Sequence, residues 1–247
     1  MIDTHAHLDA CAEPAGTLVG RAVEAGVTRI VSIGTRPDSW RSTLELAERH
    51  ESVFAALGLH PHEAEAADGT LTTLRDALGH PRAVAVGETG LDYYRDYAPH
   101  AAQLRVFQAQ LDLARELSKP VVIHNRAADS DMAAQLRDYT GTVVLHCFSS
   151  PSLLGDALER GWYVSFAGNV TYKNAYDLRT AARAIPAERL LVETDSPYLA
   201  PQPRRGRPNE PANIVHTVAA LAETRGEDAD ELAAQLDANA MTCFGLS

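Results

Sequence analysis

The sequence predicts an α/β protein, a (β/α)₈ TIM barrel with extra C-terminal helices, built as one domain over residues 1–247. Three observations carry that expectation. Short apolar runs alternate with longer helical patterns along the whole chain, the mark of βα units feeding a parallel sheet. The length of 247 residues matches the about 250 that such a barrel occupies. The first strand ends in Thr4-His5-Ala6-His7, where an open doubly wound sheet would usually carry a Gly-rich phosphate turn. No linker, low-complexity tract or repeat beyond the βα unit is visible.

The elements can be placed in order. Strands are expected near Met1–His7, Val27–Gly34, Val53–His60 and Ala83–Glu88, then near Pro120–His124, Val143–His146, Trp162–Phe166 and Leu190–Asp195. Helical stretches fill the gaps. Pro37–His50 has Trp40, Leu44 and Ala47 on one stripe, and Pro99–Leu117 has Leu104, Phe107, Leu111 and Ala114. Pro151–Arg160 and Tyr172–Ile185 are shorter members of the series. After the eighth strand, a Pro-rich loop (Pro201–Pro211) leads to two helical patterns, Ala212–Thr224 and Asp228–Cys243.

Composition narrows the function classes. Hydrophobic residues make up 45%, enough for a sizeable core. The 22 basic and 33 acidic residues give a net charge of −11, which repels polyanions over most of the surface and argues against a broad DNA-coating face. A small basic mouth or a bound divalent cation can still attract a phosphate locally. Cys11, Cys147 and Cys243 are too few and scattered for a disulfide framework, so reduced thiols are expected. The opening Met1-Ile2-Asp3-Thr4-His5 lacks a basic start followed by an apolar stretch, and no apolar run approaches the roughly 20 residues of a membrane span. A soluble, cytoplasmic chain with no membrane association and no obligate protein partner is expected.

The chemistry lies at the strand ends. His5 and His7, two apart on a strand, leave the same face and make a chelating pair; the plainer alternative is one core histidine beside an accidental neighbour. Glu88 closes the apolar run Ala83–Gly87, where a carboxylate must be paired, hydrogen-bonded or metal-bound; capping a turn is the alternative. His124 closes Val121-Val122-Ile123 and His146 closes Val143-Val144-Leu145. Asp195 ends the last strand, with Glu193 two residues earlier as a supporting or substrate-positioning group. Metal-type side chains therefore stand at the carboxyl ends of strands one, four, five, six and eight, which converge on one mouth in this fold. His60 ends strand three and points to the same mouth, toward substrate or a catalytic water. His62 is expected in the following loop, facing solvent, and His50, His80, His100 and His216 at the surface. Cys147 should face away from His146 into the layer between barrel and helices.

Together these stretches resemble the TatD family of metal-dependent hydrolases (TatD-type deoxyribonucleases), amidohydrolase-like barrels. The matching segments are Asp3–Leu8, Gly58–Pro61, Gly87–Tyr93, Ile123-His124, His146–Ser149 and Val192–Pro201, with Arg205-Gly206 and Asn209–Pro211 closing the set. The resemblance implies two divalent metal ions, one held by His5, His7, Glu88 and Asp195 and the other by Glu88, His124 and His146. Asn125 and Ser150 depart from the pattern at the pocket edge, so they bear on substrate preference and not on the ligands.

The expected function is that of a metal-dependent phosphodiesterase, a deoxyribonuclease taking nucleotides from a DNA end, with single-stranded DNA or an end as its partner. Asp195, Glu88 and His60 are the candidate catalytic residues. Arg126, Lys173, Arg204, Arg205 and Arg207 are candidates for holding flanking phosphates, and the Tyr93-Tyr94 pair for stacking on a base. Imidazole-rich ligation suits zinc, manganese, iron or nickel better than magnesium, whereas the resemblance implies magnesium-supported activity. Two other readings stay open: hydrolysis of a carboxylic ester such as D-aminoacyl-tRNA by the same site, and a non-catalytic barrel scaffold.

Overall fold

The computed structural model describes residues 1–67 and 69–246. Eight strands run in chain order around one parallel sheet: β1 (Ile2–Ala6), β2 (Arg29–Gly34), β3 (Val53–Leu57), β4 (Ala83–Asp92), β5 (Val121–Arg126), β6 (Val143–Leu145), β7 (Tyr163–Phe166) and β8 (Leu190–Val192). Each pairs with the next. The sheet closes through the residues just past β8. Asp195 N donates to His5 O at 2.9 Å, His7 N donates to Ser196 O at 2.7 Å, and Ala6 bridges Ser196 in parallel. The expected barrel is the observed one, and its seam is made by the residues that carry the chemistry.

Helices α1 (Ala15–Glu24), α2 (Pro37–Arg49), α3 (Thr70–Leu78), α4 (His100–Glu116), α5 (Asp129–Leu136), α6 (Leu154–Arg160) and α7 (Tyr176–Ala184) follow the first seven strands. The two extra helices are α8 (Ile214–Arg225) and α9 (Ala229–Phe244). Strand residues alternate between two cores. Val31, Phe54, Val122, Val144 and Leu191 fill the inside of the barrel, while Ile30, Val53, Val121, Val143 and Leu190 pack outward on the helices. Ala240, Phe244 and Leu246 join the inner set, so the end of α9 seals the barrel at the amino-terminal end of its strands. Each such fully buried Leu, Val or Phe contributes about 1.5–3 kcal/mol.

This alternation aims the side chains of the site. Val122 and Val144 face inward, so His124 and His146, two residues on, face inward too. On β1 a register irregularity between Asp3 and Ala6 brings His5 inward although Ile2 already points there. β4 is less regular. It runs four residues past Glu88, the end expected for it, and its register shifts between Val86 and Thr89. Gly87 (φ +143°) and Gly90 (φ +141°) make that shift, in a region closed to other residues.

α4 holds this irregular strand end in place. Its inner stripe of Val106, Phe107, Leu111 and Ala114 is interrupted by two buried glutamines, Gln103 and Gln110, about two turns apart on the same face. Gln103 accepts from Asp92 N at 2.8 Å and donates to Asp92 O and Ala98 O, while Gln110 accepts from Leu59 N at 2.8 Å and donates to Leu59 O and Thr89 Oγ1. The helix thus pairs backbone groups at the end of β4 and just past β3.

Candidate metal centre

One carboxylate organises the mouth. Glu88 is 3% exposed, and its two oxygens face different histidines. Oε2 lies 3.6 Å from both His5 Nε2 and His7 Nε2. Oε1 lies 2.8 Å from His124 Nδ1, 2.9 Å from His146 Nε2 and 3.5 Å from His60 Nε2. Asp195 Oδ1 completes the first side, 3.4 Å from His7 Nε2 and 3.9 Å from His5 Nε2. His5 and His146 stack at 3.9 Å between ring centres, which joins the two sides.

A ring of groups behind these fixes their orientation. Asp3 accepts from Thr194 N at 2.9 Å and from Thr194 Oγ1 at 2.6 Å, which ties the start of β1 to the turn carrying Asp195. Burial pushes the Asp3 carboxyl up to about 7. Glu193, fully buried, binds His146 Nδ1 at 3.1 Å. Asp92, also buried, binds His124 Nε2 at 3.2 Å and His62 Nε2 at 3.0 Å through the same oxygen. A carboxylate on the far nitrogen sets the tautomer and angle of a ligating imidazole.

The electrostatics follow from packing opposite charges out of water. Burial alone would raise the Glu88 carboxyl, yet the charges of His146 and His60 and the hydrogen bonds from His124 and His146 hold it well below its usual range. Burial would likewise lower His146, but Glu88 and Glu193 lift it well above an ordinary imidazole. At His60 burial wins and the imidazole is pushed down to about 4.

The donor set fits divalent cations. His5 Nε2 and His7 Nε2 face each other at 3.2 Å, so at most one can donate, and both lie equally far from Glu88 Oε2. Two lone-pair nitrogens that close are stable around a shared cation or proton. Among the described residues, three trios have ligand atoms within 4.8 Å of one another: His5, His7 and Glu88; His5, His146 and Asp195; and His60, Glu88 and His124. The structure therefore brings together all six residues expected as ligands, with His60 beside them. These trios overlap the division implied by the resemblance without coinciding with it. His5, His7 and Glu88 fall together and His124 and His146 share Glu88 Oε1, while His146 also sits with His5 and Asp195 and His60 joins Glu88 and His124.

Several neighbours differ from expectation. His62 is only partly open to solvent: a short 3₁₀ turn, Pro61–Ala66, folds its ring back to Asp92. Tyr93 is not free to stack on a ligand, since its hydroxyl donates to Asp131 at 2.7 Å and its ring stacks on His100 at 3.5 Å. Tyr94 is exposed but its face carries Arg126 at 4.0 Å. Arg205 similarly lies over Tyr172 at 4.0 Å. Cys147 does not turn into the layer between barrel and helices. Its φ of +44° breaks the strand alternation, and the carboxylates of Asp195 and Glu193 add to burial in holding its thiol well above the usual value.

Asp92, which residue type alone does not single out, continues the inner face of β4 past Gly90-Leu91. Because it holds both His124 and His62, Asp92→Ala should weaken divalent-metal affinity by about 10- to 100-fold. Titration of metal-stripped protein measures this, and an affinity within twofold of the parent would remove Asp92 from the site.

A sequence profile of the TatD related DNase family matches residues 2–245. The chain is 42% identical to an uncharacterized metal-dependent hydrolase, TatD, of Mycobacterium tuberculosis, over all of this chain and 98% of that one. It is 37% identical to a protein of Citrobacter koseri named 3'-5' ssDNA/RNA exonuclease TatD, over 93% and 92% of the two chains. The crystal structure of YjjV, a TatD homolog from Escherichia coli, superposes with a TM-score of 0.93 at 34% identity, covering 99% of this chain and 98% of that one.

Proposed function

This chain belongs to the TatD family of metal-dependent hydrolases, and on that premise we propose that it is a two-metal phosphodiesterase that removes nucleotides from the end of single-stranded DNA. The observation that carries the reading is the split of Glu88, with His5 and His7 at one oxygen and His124 and His146 at the other. Were two divalent cations bound, His5, His7, Glu88 and Asp195 would hold one and Glu88, His124 and His146 the other, with Glu88 serving both. When bound, such a pair supplies positive charge to the phosphoryl oxygens and lowers the pKa of a water to near neutrality.

The protein's own groups do the rest. Asp195, at the open edge of the cluster, takes the proton as the water oxygen adds to phosphorus and the ester oxygen leaves with its bonding pair. His60, on the Oε1 side of Glu88, contacts the substrate or the attacking water. Glu193 and Asp92 keep His146 and His124 at fixed angles, so little reorganisation is needed at the moment of reaction. Arg126, whose guanidinium is pinned over Tyr94, and the arginines of the loop after β8 hold flanking phosphates. The likeness to the Citrobacter koseri 3'-5' ssDNA/RNA exonuclease supports single-stranded nucleic acid as substrate. The ligand set is whole, which leaves a non-catalytic scaffold without support.

Elemental analysis after reconstitution should approach two divalent ions per chain, and an end-labelled single-stranded oligonucleotide should shorten stepwise with at least one of magnesium, manganese and zinc. A charged D-aminoacyl-tRNA run in parallel tests the ester substrate. Metal near zero under every condition, or prompt cuts in a closed circular single strand, would overturn the reading.

A further inference from the structure

Four tyrosines are more than half exposed among the described residues: Tyr94, Tyr97, Tyr176 and Tyr198. Two of them are already in use or remote. Arg126 covers the face of Tyr94, and Tyr176 lies on α7 beside Arg179. The other two flank the metal-ligand cluster from opposite sides, Tyr198 against His7 itself and Tyr97 against His62, which shares Asp92 with His124.

Tyr97, 63% exposed, stands in the β4–α4 loop with its ring 4.7 Å from that of His62 at 66°. Tyr198, 55% exposed, stands in the loop after β8 with its ring 5.8 Å from that of His7 at 71°. Both sit on anchored backbone. Tyr198 N donates to Asp195 O at 2.8 Å, and the carbonyl of Ala98, next to Tyr97, accepts from Gln103 at 2.8 Å. The rings between them form an unbroken path. From His62 it passes to His124 (6.3 Å), His146 (5.9 Å), His5 (3.9 Å) and His7 (5.0 Å), so Glu88 lies between the two tyrosines.

We propose that Tyr97 and Tyr198 are two stacking platforms, one on each side of the reacting phosphate, that bind unpaired nucleobases of a single strand. The inference rests on nucleic acid being the substrate. A near-perpendicular contact uses only an edge or part of a face, and more than half of each ring stays open to solvent. Large aromatic surface held rigid beside a reactive centre suits flat apolar ligands at low entropic cost. The net charge of −11 makes a charge-based grip on a polyanion poor, and stacking gives affinity that does not depend on charge. Bases inside a duplex already stack on each other, so two platforms flanking the phosphate select for single strands. Stacking does not read the sugar, so DNA and RNA strands should be held alike.

The test compares Tyr97→Ala, Tyr198→Ala and the matching phenylalanine variants with the parent, as metal-loaded full chains. Each is given an oligothymidylate and the same oligomer with abasic sites at its last two positions. Turnover is followed with metal, and Kd is measured separately with the metal chelated so that no cleavage occurs. Each alanine variant should bind the oligothymidylate roughly tenfold more weakly, with the loss in KM and Kd and not in kcat. The parent should lose a similar factor on the abasic oligomer, where the alanine changes add little further. The phenylalanine variants should keep the parental KM. Unchanged Kd in both alanine variants, an equal further loss on the abasic oligomer, or phenylalanine variants as weak as alanine would overturn the platforms while leaving the nuclease reading intact. A parent that neither binds nor shortens either oligomer would overturn both.

Discussion

Glu88→Ala should lower the rate of phosphodiester hydrolysis on the order of 10³-fold or more, equivalent to roughly 4 kcal/mol of barrier. The size follows from its position. Its two oxygens serve both sides of the cluster, so a methyl group in its place removes one anionic donor from each side at once. It also removes the negative charge that draws cations toward the imidazoles of His5, His7, His124 and His146. The fold should suffer much less. The strands are held by their apolar inner and outer faces, and the site opens at its edge, where His7 and Asp195 side chains are each 13% exposed and water can enter. Turnover at saturating metal and melting temperature without metal, measured together, separate the two effects. Near-normal turnover in Glu88→Ala would remove the bridging role and most of the mechanism with it.

What the sequence made legible, and what it hid, divides along a physical line. His124 and His146 could be placed because strand alternation is local: Val122 and Val144 face in, and the next residue of that phase faces in as well. His5, His7 and Asp195 stood out by residue type at the strand ends and not by alternation, since β1 shifts register between Asp3 and Ala6 and Asp195 lies past β8 with a left-handed φ of +53°. The groups that orient the ligands were harder, because they act through contacts between distant segments. Asp3 reaches Thr194, Gln103 reaches Asp92 and Gln110 reaches Leu59, and no periodicity encodes such pairs. A signal did exist in α4, where two glutamines break an apolar stripe; a buried amide must be bonded, and that alone marks a neighbour with unpaired backbone. Cys147 and His62 were misplaced because each follows a departure from regular backbone, a left-handed φ and a tight 3₁₀ turn, that residue pattern does not announce.

Gly90 marks the point at which fold and site depend on one atom. It pairs with His124 across β4 and β5, and its φ of +141° lies where an L side chain is strained. A β-carbon there would lie 2.0 Å from the His124 carbonyl oxygen and 3.1 Å from its amide nitrogen. Neither is a flexible side-chain end that could swing away, so the strands must part. Gly90→Ala should therefore combine about 1–3 kcal/mol of backbone strain with a similar cost of overpacking. Together, at about 2–6 kcal/mol, these lower the melting temperature by roughly 4–24 °C for a chain of this size. Spreading β4 from β5 also pulls Glu88 from His124, now 2.8 Å apart, so metal affinity should fall in the same variant. Gly20→Ala supplies the opposite sign. Gly20 is exposed inside α1 with no atom within 4 Å of its would-be β-carbon, and alanine there should stabilise the helix by about 0.5–1 kcal/mol. Thermal melts of the two variants beside the parent, followed by metal titration of each, give the comparison. A Gly90→Ala protein melting within about 2 °C of the parent would mean that β4 and β5 can separate freely, and the rigid juxtaposition of Glu88 with His124 would have to be abandoned.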